Sequence, residues 1–199
     1  MNTLTHHADH EHGLSLDDAL RFLNTHELES GHLVDQLHEP ADAARWFVDH
    51  EVLHPGGQPW APADLEHVRI VRDALRAVVD ALVEERRPAP GAVDLVNEAL
   101  TAGPAPRVEL DGTNVRIGHR HAASEVDDAL AALAAPIVGE LASGRPDRFR
   151  TCANDSCRWS FYDASPTGRR RWCDMKTCGN RAKAARHRER LKTAAAAAG

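Results

Sequence analysis

Four cysteines carry the sharpest chemical signal in this 199-residue chain. Cys152 and Cys157 are separated by four residues, as are Cys173 and Cys178, and fifteen residues lie between the pairs. Two close thiol pairs joined by such a spacer can each wrap one side of a tetrahedral ion, which predicts a single structural Zn²⁺ held by all four. Four protein ligands leave no open position for a substrate, so the ion would organise the chain and not react. Two disulfides or four idle thiols are the alternatives. The first thirteen residues contain no hydrophobic stretch and read as a flexible, His-rich leader, not a secretory signal. A cytoplasmic, reducing setting is therefore expected, which favours thiols over disulfides. No apolar run approaches the ~18 residues of a membrane span.

The elements around the cysteines must hold the pairs in place. Trp159-Ser160-Phe161-Tyr162 and Arg170-Arg171-Trp172 read as strands flanking a turn over 163–168, and Gly179 to Lys192 reads as a helix. Knuckle, hairpin and a helix whose start carries the last ligand predict a treble-clef-like finger. On the helix, Asn180, Ala184, His187 and Leu191 form a narrow face suited to docking on the hairpin. The boundaries predicted are a leader over 1–13, a body over 14–144, the finger over 145–192 and a disordered Ala-rich tail over 193–199.

Cys178-Gly179-Asn180-Arg181, preceded by Arg171-Trp172-Cys173 and by the earlier cysteine pair, resembles the CGNR zinc finger. The likeness spans Arg150 to His187 and includes Phe161, Asp163, Ser165, Arg170 and Lys183. In that family the finger ends a bacterial protein whose N-terminal region, ABATE, is described as a putative stress-induced transcription regulator. Leu20-Arg21-Phe22-Leu23-Asn24-Thr25 and Val71-Arg72-Asp73-Ala74-Leu75-Arg76 are similar to pieces of that region. The resemblance implies transcription regulation.

Charge separates the two parts. From Arg145 onward there are 14 Lys/Arg and 5 Asp/Glu, a net of +9, whereas the preceding residues hold 10 and 25, a net of −15. A basic module on an acidic body predicts contact with nucleic acid, duplex DNA above RNA because the finger's aromatics read as core. The candidate contacts are Arg169, Arg170, Arg171, Lys176, Asn180, Arg181, Lys183, Arg186, Arg188 and Arg190. A finger that docks a protein partner, without specific nucleic-acid binding, is the alternative. A further expectation is that the acidic body, at −15, docks against the basic tail and masks it.

The body reads as mainly α with a small β-hairpin, an α+β domain. Helices are expected from Ser15, over Pro40–Leu53, Pro62–Arg86 and Ala92–Thr101, and from about Ala123, with a hairpin at Val108–Leu110 and Val115–Ile117. Leu65, Val68, Val71, Leu75, Val78 and Leu82 give the long helix its buried stripe. Trp46, Phe47 and Trp60 fill the core or line a ligand pocket, with Arg21, Asn24 and Arg72 as its polar candidates for a small-molecule effector. The body would then sense that effector or form a homodimer. His119 and His121 read as a surface pair. No nucleophile–base spacing, phosphate-binding glycine loop or zinc-protease motif occurs, so an enzyme is not expected.

Overall fold

A computed structural model describes residues 14–29, 32–111, 114–120 and 124–197. The His-rich leader and His121 lie outside them. Helix α1 (Leu16–Leu23) starts at Ser15, whose Oγ accepts from the Asp18 N–H while the Asp18 carboxylate accepts from the Ser15 N–H. This reciprocal cap satisfies two otherwise orphaned donors. Strands β1 (His26–Glu29) and β2 (His32–Asp35) form an antiparallel hairpin that the sequence reading left out. Helices α2 (Pro40–Asp49), α3 (Pro62–Val83) and α4 (Pro90–Ala102) follow, each opened by a proline in its first turn. Next come the ribbon β3 (Ala105–Asp111) and β4 (Asn114–Arg120), then α5 (Glu125–Ala142), which continues through Pro136.

The body's core lies between α1, α3, α4 and α5, with α2 closing one side. Along α3, Leu65, Val68, Val71, Leu75 and Val78 are buried at helical spacing, and Leu82 is partly covered. Phe22, Trp46, Phe47 and Trp60 form a ring cluster with centroids 5.0–5.7 Å apart, so these aromatics are packing and not pocket walls.

A one-turn 3₁₀ helix (Pro146–Arg148) leads into β5 (Phe149–Thr151), which pairs antiparallel with β6 (Ser160–Tyr162). The hairpin therefore brackets the first cysteine pair. The expected partner segment, Arg170–Trp172, is not a strand: the Arg170 N–H donates to the Asp163 carboxylate and the Arg171 carbonyl accepts from the Ala153 N–H. A π-helical turn (Met175–Gly179) then opens α6 (Asn180–Ala197). The helix extends through Ala194–Ala197, beyond the end expected at Lys192, as alanine's high helix propensity favours.

The finger is not a loosely tethered appendage. Phe149, 1% exposed, belongs to the body's core and meets the Tyr162 ring edge-on at 5.4 Å. Tyr162 donates its hydroxyl to Glu140 of α5 at 2.7 Å, Arg76 of α3 donates to the Arg158 carbonyl at 2.8 Å, and the Trp159 indole N–H donates to Glu27 of β1. Asn24, buried at the end of α1, donates to the Ser160 carbonyl and accepts from the Ser160 N–H, both at 2.9 Å. Replacing Asn24 with alanine leaves both buried backbone groups without a partner. It should destabilise the zinc-loaded protein by about 2–3 kcal/mol in urea unfolding, with zinc content unchanged. An unaltered midpoint would show that the junction contributes nothing.

Candidate metal centre

Each cysteine is placed by local backbone chemistry. The Cys152 N–H donates to the Trp159 carbonyl and the Cys157 N–H to the Asn154 carbonyl, both at 2.8 Å, which folds the first pair into a tight knuckle. Arg158, at φ 58°, turns the chain out of it. On the second side, Asp174 accepts from the Thr177 N–H at 2.7 Å and starts the turn that carries Cys178. The segment between the pairs is held by Asp163, fully buried, whose carboxylate accepts from the backbone N–H groups of Ser165 at 3.0 Å and Arg170 at 2.7 Å. Burial would raise this carboxyl, but those bonds outweigh it and hold it below the usual carboxylate range. Gly168 sits at φ 60° with the Arg148 guanidinium where a Cβ would lie, 2.6 Å away, so a side chain there meets both strain and a collision.

The four sulfur atoms lie within 4.8 Å of one another. Cys173 Sγ is 3.8 Å from both Cys157 and Cys178. A tetrahedron with Zn–S bonds of ~2.3 Å has an edge of about 3.8 Å, so the donor set fits the ion in number, type and spacing. Asn154 Nδ2 donates to Cys178 Sγ at 3.4 Å, a hydrogen bond that would stabilise a thiolate ligand. Phe161, Trp159 and Trp172 pack around the sulfurs as a small separate core.

Protonation of the cluster points the same way. The hydrogen bond with Cys173 pulls the Cys157 thiol down to about 5 despite burial, while the same bond, burial and the neighbouring sulfur charges push Cys173 up. Burial also raises Cys152. Thiolates packed this closely repel one another, and a dication at the centre offsets that repulsion. The four cysteines are positioned to bind one zinc ion.

Family models match the chain in two blocks: ABATE, described as "Putative stress-induced transcription regulator", over residues 17–144, and the CGNR zinc finger over residues 148–191. The chain belongs to the ABATE family. No curated protein gives a match to it. Both families are regulator or zinc-finger types and neither is an enzyme family. Among the described residues of this ABATE protein, no helix is long and apolar enough to cross a membrane.

The basic residues divide into those engaged within the finger and those that stand exposed, although Arg186 also donates to the Ala182 carbonyl at 3.4 Å. Arg170 is engaged inside the finger: its guanidinium donates to the Cys173 carbonyl at 2.6 Å and lies 5.1 Å from the Phe161 ring centre. Asn180 donates its side-chain amide to the Lys176 carbonyl at 3.0 Å. Arg171 lies over the Trp172 ring. Arg169, Lys176, Arg181, Lys183, Arg186, Arg188 and Arg190 are exposed and form no ion pair among the described residues.

Helix α6 departs from expectation most. Asn180, Ala184, His187 and Leu191 are all exposed, Leu191 by 58%, so the narrow face does not dock on the hairpin. Among the described residues, the helix makes its extensive contact with the π-helical turn at its own start, and its described positions stay exposed apart from Ala182. Its one apolar residue of size cannot cover a hairpin whose faces are already filled by Trp159, Trp172 and the body.

The three pocket candidates do not converge on a cavity. Arg21 is exposed and pairs with Asp18 at 3.6 Å. Asn24 is committed to Ser160. Arg72, 1% exposed, donates to both Asp35 carboxylate oxygens at 2.7 and 2.9 Å, to Thr25 Oγ1 at 3.2 Å and to Asp73 at 3.0 Å. Its charge therefore ties the β1–β2 hairpin to α3 and leaves no polar group to offer an effector.

Proposed function

We propose that this ABATE protein is a zinc-dependent transcription regulator that binds duplex DNA through its finger. The observation that carries this reading is α6: eighteen residues, about 27 Å long, exposed over 180–194 apart from Ala182 and anchored beside the zinc ligands. Around it, Lys183, Arg186 and Arg190 form one stripe and Arg181, Arg188 and Lys192 another, against the single acid Glu189. The uncovered face between them carries Asn180 and His187. A major groove ~12 Å wide admits such a helix, with the two stripes on opposite phosphate strands and the narrow face toward base edges. Arg169 and Lys176 extend the positive surface to the finger's loops. The body serves as a rigid mount, joined through Phe149, Asn24 and Trp159.

Selection of duplexes from a random library by the zinc-loaded full chain tests the reading. An enriched motif with at least ~10³-fold preference over random duplex is expected. If six to eight phosphates are neutralised, affinity should fall roughly 10³-fold or more between 50 and 200 mM salt. Alanine at Lys183 or Arg186 should weaken all duplexes and flatten the salt slope, whereas alanine at His187 should relax the motif. No enrichment, with salt-insensitive binding, would favour a protein-docking finger instead.

A further inference from the structure

The β3–β4 ribbon presents three exposed apolar residues, Val108, Leu110 and Val115. Its register sets Val108 opposite Ile117 and Leu110 opposite Val115, so these four positions share one face, flanked by Pro106 opposite His119. The charged residues Arg107, Glu109, Asp111, Arg116 and Arg120 all fall at positions of the other face. Val108, Leu110 and Val115 are 66%, 79% and 63% exposed, and among the described residues the two strands make their extensive contacts with each other. An isolated two-stranded ribbon is marginal in water, and a grouped apolar surface of this kind marks an interaction site.

We propose that this face pairs with the same face of a second copy, giving a two-fold dimer in which the ribbons pack as a four-stranded sandwich. The face carries no charged residue, which excludes a nucleic-acid backbone and disfavours any partner surface that must leave a charge unpaired. A two-fold contact is self-complementary by construction: one uncharged face meets an identical one. Pro106 removes an N–H from β3, which weakens that edge as a template for an added strand. Burying six uncharged positions from each copy hides on the order of 1,000 Å² in total, the threshold of a specific interface. Two fingers on one two-fold axis would read two half-sites, but the dimer does not depend on DNA binding.

Sedimentation of the zinc-loaded full chain across 1–100 µM tests this. Two chains of 21.8 kDa are expected to associate. The variant L110K/V115K should weaken association at least 100-fold with unchanged circular dichroism and zinc content, since both positions are exposed. Leu33→Lys, at an exposed apolar residue of another hairpin, should leave the dimer intact. A monomer throughout that range, or a dimer that L110K/V115K does not weaken, would overturn the proposal.

Discussion

Replacing Cys178 with serine should reduce bound zinc from one ion per chain to well below one and destabilise the protein by about 4 kcal/mol or more. Structural zinc contributes apparent binding energies of ~10–16 kcal/mol in finger peptides, and a three-thiolate site retains only part of that. The loss extends beyond the finger. Cys178 belongs to the small core with Cys152 and Phe161, and the strands next to that core supply Phe149 and Tyr162 to the body. Without the ion, nothing offsets the mutual repulsion of closely packed thiolates, so the sulfurs separate or take up protons and the knuckle opens. Metal analysis together with thermal unfolding, with and without chelator, reads both effects. A variant with full zinc occupancy would show that three cysteines suffice.

Asp35→Ala should cost about 3 kcal/mol, because the buried Arg72 charge loses its two-bond partner and keeps only the half-exposed Asp73. Arg72 is 1% exposed, and Asp35 takes its guanidinium through two bonds while also accepting from the Leu37 N–H at 3.0 Å. The double replacement R72M/D35L removes both charges and should recover part of the loss. The pair also carries a pH signature. Burial would raise the Asp35 carboxyl, but Arg72 and the Leu37 N–H outweigh it and hold it below its ordinary value near 3.8. A depressed folded value contributes stability that is present above the unfolded carboxylate pKa and lost as pH falls through the folded one. Stability measured from pH 6 downward should therefore fall below about pH 4, and that part of the fall should be absent in Asp35→Asn. Equal acid sensitivity in the two proteins would remove Asp35 from the explanation.

Local chemistry made much of this legible in the sequence. The cysteine spacing identified the metal cluster, and the apolar period of α3 identified its buried face. The Ser15–Asp18 cap and the prolines marked where helices begin. What stayed hidden was non-local. Asn24 is explained only by Ser160, 136 residues away, and Arg72 only by Asp35, 37 residues away, and no periodicity encodes either partner. The β1–β2 hairpin has the polar sequences HELE and HLVD, without clear apolar alternation, because Asp35 and Glu27 are held by ion pairing and a tryptophan N–H and not by packing. Arg170–Trp172 has strand-like composition, but its backbone is taken by the Asp163 side chain and the Ala153 N–H, partners no local pattern encodes. The amphipathic reading of α6 failed for a simpler reason: a face of Asn, Ala, His and one Leu buries too little to dock.

Binding of a labelled, selected duplex by the full chain, with zinc and after chelation, at 50 and 200 mM salt, tests most directly whether zinc orders a DNA-facing helix. The expected result is zinc-dependent binding that weakens roughly 10³-fold across that salt range. Binding that survives complete zinc removal, or no binding at low salt by the loaded protein, would contradict it.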